Sequence, residues 1–182
     1  VLTGLVCIIL GMGMPTLAVY VLLAAVIAPS LVEVGISPLA AHMFILYLGM
    51  MSFLTPPVAI AAFFAANLAK APPMATGWTS MRFGWTAYVV PFLFVFSPAL
   101  LLQNDDVLVT VVTIATAALG VWMVSSGMIG YFVRPMKLPV RTGFLIAGIL
   151  LTIPSEIGDW AAWTDVIGAV ASSLLVWFEI KA

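Results

Sequence analysis

Two short segments of this sequence could do chemistry: Gly11-Met12-Gly13-Met14-Pro15-Thr16 and Thr55-Pro56-Pro57. Each interrupts a strongly apolar run. Glycine favours non-helical angles and proline removes a backbone donor, so a helix entering either segment must stop. The residue before each proline is also pushed out of helical geometry. Hydrocarbon cannot satisfy the carbonyls and amides this frees, so such backbone persists only where protein buries it or where it lines a cavity. Half-helix N-termini then offer positive dipole ends to an anion, while unwound carbonyls and half-helix C-termini can coordinate sodium. Thr16 and Thr55 add hydroxyl oxygens. A single proline or glycine usually just kinks a packed helix. Two multi-residue interruptions together favour one shared site.

The other polar residues have blander readings. His42 is the one histidine and lies a turn from a predicted outer loop, which suits an interfacial, hydrogen-bonded side chain. Lys70 can snorkel to the headgroups and Asn67 can bond between helices. Glu33, Asp105 and Asp106 fall in loops as solvated charges. Thr113, Thr116 and Gly120 share a helical face, the small-residue pattern of close packing in lipid. Cys7 has no partner for a disulfide and reads as a small hydrophobe. An intramembrane enzyme fits poorly: no metal-ligand spacing occurs, and no serine shares a depth with a histidine and a carboxylate.

The elements that position these residues belong to a membrane. Hydrophobic residues make up 64% and charged ones 7%, against about 25% charged in a soluble domain. Six basic and seven acidic residues, net −1, cannot build a water-facing surface, and outside one short loop no Lys and Arg cluster to bind nucleic acid. The lipid bilayer is the partner composition demands. A crossing needs ~20 apolar residues. Spans are expected over 83–103, 107–133 and 160–180, the last with Trp160, Trp163 and Trp177 toward its ends as an aromatic belt. A shorter one covers about 141–153. Residues 1–32 read as a hairpin around the first interruption. Residues 39–69 are too long for one straight crossing and read as a single helix broken at Thr55-Pro56-Pro57.

Basic residues orient these elements, because Lys and Arg in short loops prefer the cytoplasm. Lys70 and Arg82 mark one inner loop, and Arg134, Lys137 and Arg141 another. The stretches 33–38, 103–106 and 154–159 lack both residue types and are expected outside. Residues 39–69 then cross completely, and the C-terminus is cytoplasmic. The chain opens inside an apolar run with no signal-peptide features, as the C-terminal part of a longer protein would.

The wording of the segments carries a resemblance. Gly-Met-Gly-Met-Pro-Thr opens a helix running through Ala-Pro-Ser-Leu-Val-Glu-Val-Gly. Ser-Pro-Leu-Ala-Ala-His and Leu-Thr-Pro-Pro-Val-Ala follow. In order and spacing, residues 1–103 resemble the large membrane subunit of TRAP transporters, the tripartite ATP-independent periplasmic carriers, especially the fused permeases of their TAXI branch. The resemblance implies an all-α, polytopic, elevator-type inverted-repeat transporter, here its second repeat. That repeat comprises a hairpin over 1–32, a broken helix over 39–69 and a transmembrane helix over 83–103. Residues 104–182 would be a C-terminal transmembrane extension serving as scaffold.

By the same resemblance the activity is not enzymatic. It is sodium-coupled uptake of organic anions, commonly carboxylates, across a bacterial or archaeal inner membrane. A periplasmic solute-binding protein would deliver the substrate, and a small membrane subunit or its fused equivalent and an N-terminal repeat would complete the assembly. Gly11, Met12, Gly13, Thr16, Thr55 and Pro56 are the candidate sodium ligands. Met14, Pro15, Thr16, Thr55 and Pro57 are the candidate substrate contacts. No acidic residue stands at the hairpin tip, so ligation would rest on neutral oxygens. The competing reading is a noncatalytic helical module whose interruptions serve packing or partner binding.

Overall fold

A computed structural model describes residues 1–154 and 159–181, with side-chain surroundings given to Pro154 and again from Trp163. The expected outer stretch 154–159 therefore lies largely outside the described residues, as does the Trp160 side chain. Among the described residues the chain is helical, apart from one isolated bridge between Tyr131 and Pro135. It packs as two units, Val1–Val95 and Phe96–Ala182.

The first unit holds α1 (Leu2–Gly11), α2 (Thr16–Val26), α3 (Ala28–Glu33), α4 (Pro38–Met51), α5 (Ile60–Ala69), α6 (Pro73–Phe83) and α7 (Trp85–Phe96). Local chemistry sets the boundaries. Pro29, without an N–H, falls in the first turn of α3 and separates it from α2. The Ser37 hydroxyl accepts from the Ala40 amide at 3.3 Å and Pro38 takes the first helical position, so α4 starts there. Its core joins Cys7, Val19, Leu23, Ala28, Phe44, Ile45 and Leu48. Phe44 meets Phe92 edge-on at 5.1 Å between ring centroids. A Cβ on Gly49 would lie 2.8 Å from Val19 Cγ1 and 2.9 Å from Leu23 Cδ1, so α2 and α4 cross at that glycine.

The expected single helix over 83–103 takes a different form. Helix α7 stops at Phe96 and a 3-10 turn covers Pro98–Leu101. Pro98 drives Ser97 into extended backbone (φ −134°, ψ 98°). The stretch after Lys70 is also not a plain loop. It contains α6, opened by Pro73 and closed with Arg82 in its last turn, beside the carbonyl end that favours a cation.

The second unit holds α8 (Val107–Ile129), α9 (Leu138–Thr152) and α10 (Asp159–Lys181). Asp106 is more than a solvated charge. Its Oδ1 accepts from the Leu108 amide at 2.9 Å and the Val109 amide at 3.4 Å, capping α8. Helix α8 ends at Gly130, whose φ of +80° is left-handed. Arg141 leaves its expected loop for the first turn of α9. Its Nε donates to the Gly127 carbonyl at 2.6 Å and Nη2 to Met128 at 2.8 Å, satisfying two carbonyls at the end of α8.

Helices α8 and α9 meet backbone to backbone. A Cβ on Gly120 would lie 2.8 Å from the Gly148 carbonyl oxygen, and one on Gly148 would lie 2.7 Å from the Gly120 oxygen. Helix α10 lays Gly168 against Leu151, where a Cβ would come within 2.9 Å of Leu151 Cγ.

Among the described residues two helices, Val107–Ile129 and the Trp163–Lys181 portion of α10, are long and apolar enough to cross a membrane, with mean hydropathies of 2.3 and 1.3. Helix α9, at 15 residues, is about 22 Å long, short of the ~30 Å hydrocarbon core. Exposed Leu, Ile, Val, Phe and Trp cover both units, far more apolar surface than a water-soluble monomer carries.

The glycine seam generates a prediction. Gly148→Ala should lower the stability of the permease by about 1–3 kcal/mol through overpacking, read as a fall in melting temperature. Ala118→Leu, on the exposed face of α8, should leave it unchanged.

Candidate functional site

At the first interruption α1 ends on Gly11, Met12 is extended (φ −65°, ψ 125°) and Gly13 takes a left-handed φ of +81°. That angle is open to glycine and strained for other residues, so Gly13 makes the turn possible. Pro15 (φ −60°, ψ 146°) then launches α2 at Thr16. No side chain caps α2. Its first amides therefore carry unpaired donors and the positive end of the helix dipole toward the tip. Pro15 and Thr16 are exposed.

The second interruption is wider than three residues. Backbone leaves the helix after Met51 and re-enters it at Ile60, and the Pro56–Pro57 peptide is cis. Ala59, fully buried, starts α5 from a left-handed φ of +31°. For a residue with a Cβ this costs ~1–2 kcal/mol that its surroundings must offset. The Ala59 amide bonds the Thr55 carbonyl at 3.0 Å, and the Ala61 amide reaches back to Phe53 at 3.1 Å. No side chain caps α5 either.

Residues of α6 and α7 hold this segment. Thr55 Oγ1 lies 2.6 Å from the Met51 carbonyl and 2.8 Å from the Tyr88 hydroxyl. A carbonyl can only accept, so the Thr55 proton goes to Met51 and Tyr88 donates to Thr55. Ser80 Oγ donates to the Gly77 carbonyl at 2.8 Å and approaches that of Leu54 at 3.4 Å. A Cβ on Gly77 would lie 2.9 Å from Pro56 Cγ, so α6 rests directly on the proline pair.

The two interruptions meet. Ser52 Oγ, buried just past α4, donates to the Gly11 carbonyl at 2.9 Å across 41 residues of sequence. A Cβ on Gly11 would sit 2.6 Å from the Gly49 carbonyl oxygen and 3.0 Å from Ser52 Oγ. The end of α1 is thus seated on the end of α4. The Gly11 oxygen also receives the Met14 amide at 3.5 Å. Met12, Gly13 and Met14 form the turn itself, and Pro56 and Pro57 lie in the wider segment. Among the described residues no hydrogen bond joins Thr16 to Thr55.

Sequence reading missed Ser52, Ser80, Tyr88 and the whole of α6. The one available signal was Ser52, a hydroxyl three residues before Thr55 in an otherwise apolar stretch. His42 does what its position implied: the Tyr20 hydroxyl lies 3.0 Å from its Nδ1, tying α2 to α4. Asn67 and Lys70 are exposed. Among the residues described, no three of His, Cys, Asp and Glu gather as metal ligands. A cavity of about 330 Å³ beside the end of α4, lined by Leu46, Tyr47, Met50 and Met51, is almost wholly apolar and contains none of the candidates.

Apolar helices too exposed for water, two of them interrupted and pinned together at their interruptions, define a helical membrane protein of the permease class. Residues 1–107 match the family described as Tripartite ATP-independent periplasmic transporter, DctM component, and the chain belongs to that family. It is a TRAP large-permease chain, a component of a transporter and a multi-pass protein of the inner membrane. The match ends where α8 begins, so the α8–α10 bundle lies beyond the matched residues. No curated protein and no solved structure matches the chain.

The Ser52 contact can be tested. Ser52→Ala should cost about 1–3 kcal/mol, because the Gly11 carbonyl loses its short bond in a buried place. Gly11→Ala should cost more than Ser52→Ala, since its methyl meets a backbone carbonyl that cannot turn aside. Thermal unfolding of the purified permease orders the two.

Proposed function

We propose that this permease is a sodium-coupled carrier of organic anions, its site built on the apposed interruptions at residues 11–16 and 52–59. The observation that carries this reading is the Ser52–Gly11 bond, which joins the ends of α1 and α4, the two helices that stop at the interruptions. Interrupted helices near the middle of the membrane are where transporters hold ions and substrates.

The hydrogen bonds divide the candidates. Thr55 Oγ1 has given its proton to Met51 and accepts from Tyr88. It keeps one lone pair and no donor, so it suits a cation and cannot donate to a carboxylate. The Met12, Gly13 and Pro56 carbonyls and the Thr16 hydroxyl complete a neutral oxygen set for sodium. The Gly11 carbonyl, already engaged by Ser52, holds the tip in place. Thr16, at the uncapped and exposed start of α2, also suits the anion, with Met14, Pro15 and Pro57 shaping its surroundings.

In this reading residues 1–32 form the second hairpin and α4 with α5 the broken crossing helix of an elevator-type repeat. A periplasmic solute-binding protein presents the substrate, an N-terminal repeat supplies the opposing half-site, and a small subunit or fused equivalent completes the assembly. The C-terminus is cytoplasmic.

The test is the melting temperature of the full permease in sodium chloride against choline chloride. A ligand at a hundred times its dissociation constant stabilises by about 2.7 kcal/mol, so a clear sodium-specific rise is expected. Thr16→Ala, which disturbs no bond in the structure, should shrink that rise without altering the choline baseline. An equal response to both salts would overturn sodium coupling and leave the interruptions as packing features.

A further inference from the structure

Beyond the residues matched to the family, α9 and α10 enclose a feature that the transport site does not use. A cavity of about 330 Å³ lies between the N-terminal end of α9 and the C-terminal end of α10, lined by Arg134, Pro135, Lys137, Val140, Phe178 and Glu179. We propose that this cavity binds the phosphate headgroup of an anionic membrane lipid, held by Arg134 and Lys137.

Three observations carry the assignment. The first is the arrangement of charge. Arg134 Nε donates to Glu179 Oε2 at 2.9 Å, yet the two partners are unequally placed: the Glu179 side chain is 3% exposed and the Arg134 side chain 39%. The anion is hidden beneath the cation, so the face offered to a ligand is positive. Arg134 has given one of its five N–H donors to Glu179, and the fork suits a phosphate. Lys137, exposed, adds a second cation at the uncapped start of α9. Arg141, in the same basic stretch, is turned away to the α8 carbonyls. The positive face is therefore confined to Arg134 and Lys137.

The second observation is depth. The end of α10 carries Trp177, with the Lys181 ammonium 4.3 Å from its ring centroid. Trp rings sit at the headgroup level at the ends of membrane spans, and Lys near a helix end snorkels to the same layer. Basic pockets between helices at this depth take lipid headgroups.

The third observation separates a lipid from a free phosphate. Phe178, which lines the cavity, continues an exposed apolar row on α10 through Leu174, Val170 and Ile167, each more than half exposed. At helical spacing these residues share one face. The row runs from the positive cavity toward the middle of the span, as an acyl chain attached to the bound headgroup requires.

The experiment is a thermal-shift titration of the full permease in detergent with phosphatidylglycerol, with phosphatidylcholine and inorganic phosphate as the other arms. Phosphatidylglycerol should raise the melting temperature and the other two should not. Lys137→Gln should weaken the apparent affinity for phosphatidylglycerol roughly fivefold, the contribution of one cation near a charged headgroup. Arg134→Gln combined with Glu179→Gln removes the guanidinium without stranding a buried carboxylate and should abolish the shift. An equal rise with phosphatidylcholine overturns the site. So does an equal rise with inorganic phosphate, which would mark a free-anion site, or an undiminished response in both variants.

Discussion

Lipid offers no hydrogen bonds, so a departure from helix within the membrane must be satisfied by the protein itself or line a cavity. The Ser52–Gly11 bond is the central case. It lets α1 stop and α4 stop at the same place, with one hydroxyl satisfying the last carbonyl of the other element. Without a side chain on Gly11 the two backbones approach until no Cβ would fit. The two interruptions therefore meet at a shared contact rather than being two separate kinks. The turn at Gly13 and the segment from Ser52 to Ala59 are shaped on either side of that contact.

The two units solve the same problem differently. In the first, backbone is opened, and hydroxyls and amides from neighbouring elements close the account: Tyr88 on Thr55, Ser80 near Leu54, the Ala61 amide on Phe53. In the second, helices stay whole and small residues let them touch, Gly120 against Gly148 and Gly127 against Leu145. Such packing yields a firm bundle with little exposed polar backbone. Where α8 does end, Arg141 is committed to its carbonyls and Arg134 to Glu179. The basic stretch that served as an orientation signal is thus also a set of structural ties.

Much of the fold was legible because proline and glycine act locally. Pro15, Pro56 and Pro57 fix breaks through their own rings, whereas the caps that Ser37 and Asp106 supply to α4 and α8 emerged only from the structure. The 83–103 stretch was misjudged because hydropathy alone does not register Ser97-Pro98, whose backbone effect outweighs the apolar side chains around it. Helix α6 was invisible for the opposite reason: Pro73–Phe83 is too polar to read as a span, and its place is set by contact with Pro56 and Phe63 through Gly77. Tyr88 could not be singled out, because only tertiary proximity turns an isolated hydroxyl into a partner for a distant residue, and Ser52 offered only its spacing from Thr55.

The hydroxyls show how such residues can be told apart once the fold is known. Thr76, Thr79, Thr110, Ser126 and Ser173 each donate to the carbonyl four residues back on their own helix. That bond satisfies the side chain locally and implies nothing beyond its helix. Ser52 instead donates across to another element, and Thr55, though it bonds Met51 four residues back, also receives Tyr88 from α7. A hydroxyl that donates to a backbone carbonyl of another element, as Ser52 does, meets a carbonyl that helix bonding has left free, unlike the side-chain pair of Tyr20 and His42. Both of these hydroxyls stand in the 52–59 segment, and one of them reaches the tip. Their placement ties the 52–59 segment to the end of α1 and to α7.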